Sequence, residues 1–310
     1  MNLLPQLRQR EVRDLYWACF SEELVNSSLN VASYAEVETH FPHIETWFRK
    51  LDAEPKQLQL HLAKLHSSRL GLYFEALWEY YLRYAGVAEL ITKNEQVRDG
   101  KRTLGEYDFI YYCLRRNCYI HMEVAVKFYL GVFSDESIDD GELSLQSSWI
   151  GPACKDRLDL KVDALFQRQL LLSQSKQGNL VLEKYNISQI ERELCLKGML
   201  FYPISAQKTM GPPLNHHPSH KRCQWLRFSE FCSQGGDSMR WSILKRRDWF
   251  SPCLVYDQHE VIKTSTLLEK LENHFLSAMS QPIQIVFLEE IKDCWQERER
   301  YFITPDIWPK

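Results

Sequence analysis

CYIHMEVAVKFYL, residues 118–130, is the stretch on which the reading of this chain turns. Successive side chains along a strand point to opposite faces. On that period Ile120, Met122, Val124, Val126, Phe128 and Leu130 form one wholly apolar face. Tyr119, His121, Glu123, Ala125, Lys127 and Tyr129 form the other. An edge strand with its polar side in water is the plain account of such a pattern. The mixture of acid, base, aromatic and small residue on one side is less usual for a plain solvent face.

Immediately upstream, GEYDFIYYCL (105–114) is equally rich in β-formers, and Arg115-Arg116-Asn117 separates the two runs, which predicts a hairpin. With the turn centred on Arg115-Arg116, Asp108 lies opposite Glu123. A shift of two residues sets Asp108 opposite Ala125 and diagonal to Glu123. Either register keeps both carboxylates on one face, within about 5–8 Å. Like charges so placed destabilise a sheet unless a cation lies between them. A divalent ion with oxygen ligands, Mg²⁺ or Mn²⁺, suits that position. Lys127 shares the face, and an ammonium there can orient or deprotonate a water and stabilise charge on a phosphate.

Outward from the hairpin, HSSRLGLYFEALWEYYLRY (66–84) is a strongly apolar helix, with Ser67 or Ser68 as N-cap and Gly86 beyond its end. Residues 87–97 read as a strand, followed by the Asp99-Gly100 turn. Residues 131–153, with SDESIDDGE and Gly151-Pro152, read as a loop, 155–173 as one amphipathic helix and 196–204 as a buried strand. Two polar residues interrupt apolar stripes. Glu75 sits inside GLYFEALW, and Gln169 continues the Leu158, Val162, Leu165 stripe. A buried Glu or Gln needs partners, and a local cap or a single hydrogen bond accounts for either one as well as a site does. On the same ground His121 reads as a surface residue slightly ahead of a supporting role beside Glu123, Glu106 as a solvated acid at the strand entry ahead of a further ligand, and Asp156 as a first-turn acid. Arg157 and Lys161 read equally as phosphate contacts or as a helix surface pair.

The remaining chain has less to say. Residues 1–65 read as helices broken at Pro55. QKTMGPPLNHHPSH (207–220) marks a boundary, and 211–310 reads as a small α/β module with CQWLRFSEF and 282–291 as strands and 264–279 as a helix. HHPSHKRC offers His216, His217, His220 and Cys223 as metal-ligand types, with a linker as the simpler account. The 310 residues carry 38 Lys and Arg against 41 Asp and Glu, a formal charge of −3, so a coat of non-specific nucleic-acid binding is excluded and any such role needs local patches. Arg115-Arg116, Lys155/Arg157/Lys161, Lys221-Arg222 and Lys245-Arg246-Arg247 are the candidates, each also explicable as a solvated cluster. Nine scattered cysteines without CxxC argue against a disulfide framework and a zinc ribbon. No stretch has signal-peptide or membrane-span length, so the expected setting is cytoplasmic, without a membrane partner.

GLYFEALWEYYL, TLGEYDFI, HMEVAVKFYL, WIGP, DRLDLK, RQLLLS and LKGMLFYP together resemble a bacterial family of uncharacterised proteins placed in the PD-(D/E)XK nuclease superfamily. The resemblance implies an α/β (α+β) fold: a restriction-endonuclease-like αβββαβ core over 66–210, N-terminal helices over 1–65 and a C-terminal α/β extension over 211–310. It implies Asp108 as the first metal-binding acid and Glu123 as the second. Glu75 corresponds to a first-helix acid that reaches the metal directly or through water, and Gln169 to a supporting glutamine. The usual lysine follows the second acid by two residues. Here that place is Ala125, and Lys127 lies two further on. The implied activity is Mg²⁺- or Mn²⁺-dependent phosphodiester hydrolysis of nucleic acid, with DNA the expected form. A nuclease-like fold without catalysis, binding nucleic acid or a protein, is the alternative. The oligomeric state is not written in the sequence.

Overall fold

The computed structural model describes residues 3–133, 143–204, 209–232, 236–277 and 280–309. The SDESIDDGE segment, 134–142, for which a loop is expected, lies outside them. In chain order the elements are α1 (Arg10–Phe20), α2 (Tyr34–His40), α3 (Ile44–Ala53), α4 (Lys56–Leu62), α5 (Leu70–Tyr84), β1 (Ala88–Asp99), β2 (Arg102–Cys113), β3 (Cys118–Gly131), β4 (Trp149–Ile150), α6 (Leu158–Ala164), α7 (Lys176–Glu183) and β5 (Glu191–Pro203). There follow β6 (Arg222–Arg227), α8 (Phe228–Cys232), β7 (Arg240–Leu244), β8 (Leu254–Val255), β9 (Ile262–Lys263), α9 (Thr264–Phe275), β10 (Ile283–Ile291) and β11 (Cys294–Thr304). The class is mixed α and β.

The chain forms two compact units, Met1–Val126 with Lys161–Lys197, and Lys127–Leu160 with Gly198–Lys310. The helical stretch 1–65 thus belongs to the first unit, and 211–310 lies wholly in the second. In the first, β1 and β2 and then β2 and β3 pair antiparallel. Its core includes Val97, Tyr107, Ile110, Leu172, Val181, Leu182 and Ile187. In the second, β6 runs parallel to β5 and to β11, and β10 pairs antiparallel with β11 and with β7. Its core gathers Leu226, Phe231, Trp241, Leu267, Leu271, Ile285 and Ile303.

Helix α5 is apolar nearly all round, and Tyr73, Phe74, Leu77, Trp78, Tyr80 and Tyr81 are all buried, as such a helix requires. Its start corrects the expected cap. Arg69 holds the N-cap position without a side-chain bond, and the Ser67 hydroxyl accepts from the Arg69 amide instead (3.2 Å). The hairpin turn closes at Asn117, which takes a φ of 52° that asparagine tolerates. The β2–β3 ladder runs from Cys113 opposite Cys118 to Phe109 opposite Met122, so Asp108 follows opposite Glu123.

The structure sets aside the edge-strand account and corrects one further expectation. Strand β3 is no edge: it lies between β2 and β5, and His121 and Glu123 are fully buried. The expected helix 155–173 is divided. Helix α6 ends at Ala164 and continues as one π turn, Leu165–Gln169, closed by the Leu170 amide on the Leu165 carbonyl (2.9 Å). Such turns often accompany functional sites. Helix α7, unforeseen, starts at a Ser175 cap that accepts from the Gly178 amide (2.9 Å). Gly178 has to be glycine, since a Cβ there would sit 1.9 Å from the Leu172 carbonyl oxygen. CQWLRFSEF is a strand only to Arg227 and then turns into α8. None of the nine cysteines forms a disulfide, and no helix among the described residues is long and apolar enough to cross a membrane.

Candidate functional site

Strand register delivers Asp108 and Glu123 to one place. Pairing of β2 with β3 stops at Phe109, and the next amide of β3 turns to a side chain: Val124 N donates to Asp108 Oδ2 (2.9 Å). The Asp108 and Glu123 carboxyls are themselves hydrogen-bonded, which requires a proton between them. Asp108 is 8% exposed and Glu123 is fully buried. Burial first, and the adjacent Glu123 second, push the Asp108 carboxyl up to about 7. Burial pushes Glu123 up to about 8, against the pull of the Lys161 ammonium. At neutral pH the pair therefore holds a shared proton where two charges would repel.

Both oxygens of Glu123 are held. His121 Nε2 lies 2.8 Å from Oε1, and Gln169 Nε2 donates to Oε2 (2.8 Å). Burial pushes the His121 imidazole down to about 3, so the ring is neutral. Its Nδ1 lies 3.3 Å from Ser173 Oγ, and the Tyr107 ring meets it edge-on with centroids 4.6 Å apart. The π turn supplies Gln169, whose Oε1 accepts from Lys161 Nζ (3.3 Å). Lys161 in turn lowers both acid constants. Glu75, half-buried on α5, is pushed up to about 7 by burial and by the Asp108 charge, while a hydrogen bond to Asn94 works the other way.

Asp108, Glu123 and Gln169 thus form one hydrogen-bonded group, and Glu75 is coupled to it through charge. Lys127 is paired with Asp156 in the second unit. Glu106 is exposed. Sequence reasoning undervalued two members. His121 carries the signal of sharing the Glu123 face at a spacing of two. Lys161 sits in the DRLDLK run, where a phosphate contact and a surface pair read alike. Ser173 and Asn94 carry no sequence signal. Of the HHPSHKRC group, both His220 nitrogens are engaged, Nε2 with the Tyr202 hydroxyl (2.7 Å) and Nδ1 with the His217 carbonyl (2.8 Å).

Among the described residues, no three His, Cys, Asp or Glu side chains gather into a group that could hold a metal ion. The donor set is therefore a pair of carboxyls, with Glu75 coupled to it but not gathered. The chemistry of that pair fits a hard divalent cation: neighbouring oxygen donors whose acid constants are raised, by burial first. A family described as "Domain of unknown function (DUF1853)" matches residues 13–304. No curated protein and no solved structure matches the chain.

Proposed function

We propose a function for a chain that belongs to the DUF1853 family: metal-dependent hydrolysis of phosphodiester bonds in nucleic acid, with DNA as the substrate form. The carrying observation is the Asp108–Glu123 carboxyl pair, buried, in mutual hydrogen bond and raised to about 7 and 8. A fold does not keep two carboxyls in that state for stability, because each disfavours the other's charge. The element order supports the reading. Helix α5, strands β1 to β3, helix α6 and strand β5 follow the αβββαβ order of the PD-(D/E)XK nucleases, with the short β4 and helix α7 as additions and the acids on the second and third strands. A cytoplasmic setting goes with it.

Asp108 and Glu123 would hold Mg²⁺ or Mn²⁺, with Glu75 as the further acid. When bound, the ion supplies Lewis-acid polarisation of the phosphate and a lowered pKa for its water. The chain's own residues set up this state. Neutral His121 and the Gln169 amide fix the two oxygens of Glu123, so the carboxyl cannot rotate away. The pair releases its shared proton as it takes up a cation, so binding strengthens as pH rises through 7 to 8. Lys161 is the ammonium coupled to both acids and favours their charged forms.

A second reading has its own observation: Ala125 stands where the usual lysine would be, and Lys127 is committed to Asp156. That reading is a nuclease-like fold which binds without cutting. The two separate in one experiment. Under hydrolysis, the purified chain cleaves DNA with Mg²⁺ or Mn²⁺, and Asp108→Ala or Glu123→Ala each lowers the rate about 10³-fold, the equivalent of about 4 kcal/mol. Full activity in either variant sinks the assignment. No cleavage and no thermal shift with either ion in the parent chain leaves the binding reading.

A further inference from the structure

A groove of about 510 Å³ opens on the first unit between α4, α5 and β1, a size typical of ligand sites. Its lining includes His61, Lys64, Glu75, Arg83, Tyr84 and Lys93. The charges do not cancel. Glu79 brings one negative charge, and it is met by Lys93 Nζ at 2.5 Å, Arg83 Nε at 2.9 Å and His61 Nε2 at 3.7 Å. With exposed Lys64 the lining carries three permanent cations against Glu79 and Glu75, the latter raised to about 7. Glu79 thus acts as a buried post that gathers cations along one wall and leaves them in excess. Tyr84 stands at 45% exposure, with its ring 4.8 Å from that of Tyr80. The groove reaches Glu75, the acid coupled to Asp108.

We infer that this groove binds a single-stranded segment of nucleic acid, with Lys64, Arg83 and Lys93 on its phosphates and Tyr84 as a stacking platform for a base. The inference rests on the nucleic-acid reading of the carboxyl site and extends it to the strand beside the scissile phosphate. A basic track with an aromatic face is the make-up of sites that hold single strands without regard to sequence. The excess of cations favours an anionic ligand, and an exposed ring next to them suits a base better than a bare inorganic anion.

The test is fluorescence anisotropy on the full chain in EDTA, where cleavage is off, with a labelled oligothymidylate of about 16 nucleotides. A Lys64→Ala/Lys93→Ala variant is expected to bind about 10-fold more weakly, with its log–log salt slope reduced by about 1.4, two contacts at about 0.7 each. Tyr84→Ala is expected to weaken binding about 10-fold with the slope kept. Lys101→Ala, at an exposed position of the same unit outside the groove lining, should bind as the parent does. Lys64→Glu alone, at an exposed position, serves if the double variant melts early. Unchanged affinity and slope in the groove variants overturn the inference. So does an equal loss with Lys101→Ala, or binding of inorganic phosphate or thymidine monophosphate as tight as that of the strand. The carboxyl reading stands or falls separately, on cleavage by Asp108→Ala and Glu123→Ala.

Discussion

Glu75 and Glu79 stand one turn apart on α5, and their carboxyls are pulled in opposite directions. Glu79 is held below the usual carboxylate range, because hydrogen bonds and charge from Lys93 and Arg83 outweigh its burial. Glu75 is pushed up to about 7, because burial is reinforced by Asp108 and Glu106. One helix therefore carries an acid bonded to its cations and an acid whose burial and acidic neighbours outweigh the Asn94 hydrogen bond and the Lys93 charge. The first kind needs nothing more than the fold. The second keeps its charge only if a cation arrives from outside, and Asp108 and Glu123 extend that condition into the interior. Carboxyls that the protein leaves uncompensated are the ones to assign to function.

The contrast can be sharpened first through the cation that touches the acid cluster. Lys161→Ala removes the charge that draws the Glu123 constant down, so the rising limb of the cleavage–pH profile should move to higher pH. At neutral pH the loss should be about 10-fold or more, recovering in alkali. Lys127→Ala, which releases Asp156, should leave the limb in place. A limb that moves with Lys127→Ala and not with Lys161→Ala would break the assignment of the two lysines.

Next in size is a pair of melting experiments in EDTA. Glu79→Gln takes the counter-charge from Lys93 and Arg83, and a charged hydrogen-bonded group of this kind contributes about 2 kcal/mol, so the melting temperature should drop by about 4–8 °C. Glu75→Gln removes a carboxyl that its neighbours disfavour, and should leave the melting temperature unchanged or slightly higher. Equal losses at the two positions would remove the distinction on which the site rests.

The smallest effect is a slope. The folded constants of Glu75, Asp108 and Glu123 lie above their ordinary values. The folded protein therefore binds more protons than the unfolded chain between about pH 4 and 8. Their contribution is fully present below the ordinary carboxylate range and is lost as pH rises through 7 to 8. In EDTA the melting temperature should fall from about pH 5 to 8.5, and an Asp108→Asn/Glu123→Gln variant should flatten that fall. A curve that rises with pH and is unaltered by the double variant would show the pair to be charged and compensated.

What the sequence determined by itself is the local order: the apolar helix over α5, the hairpin of β2 and β3, and the meeting of Asp108 with Glu123. Period-two alternation and the length of a turn settle register, and register alone places two side chains on one face. The tertiary structure decided what surrounds that pair. The inner position of β3 depends on β5, which lies about 70 residues further along the chain, and the hold of Gln169 on Glu123 depends on a π turn that no periodicity announces. His121 is neutral because it is buried, and Lys161 matters because folding brings its charge within reach of both acids. Alternation reports the direction of a side chain, whereas desolvation and charge report everything near it. The carboxyl pair was therefore legible in the sequence, and its missing positive charge became visible only once the chain had folded around it.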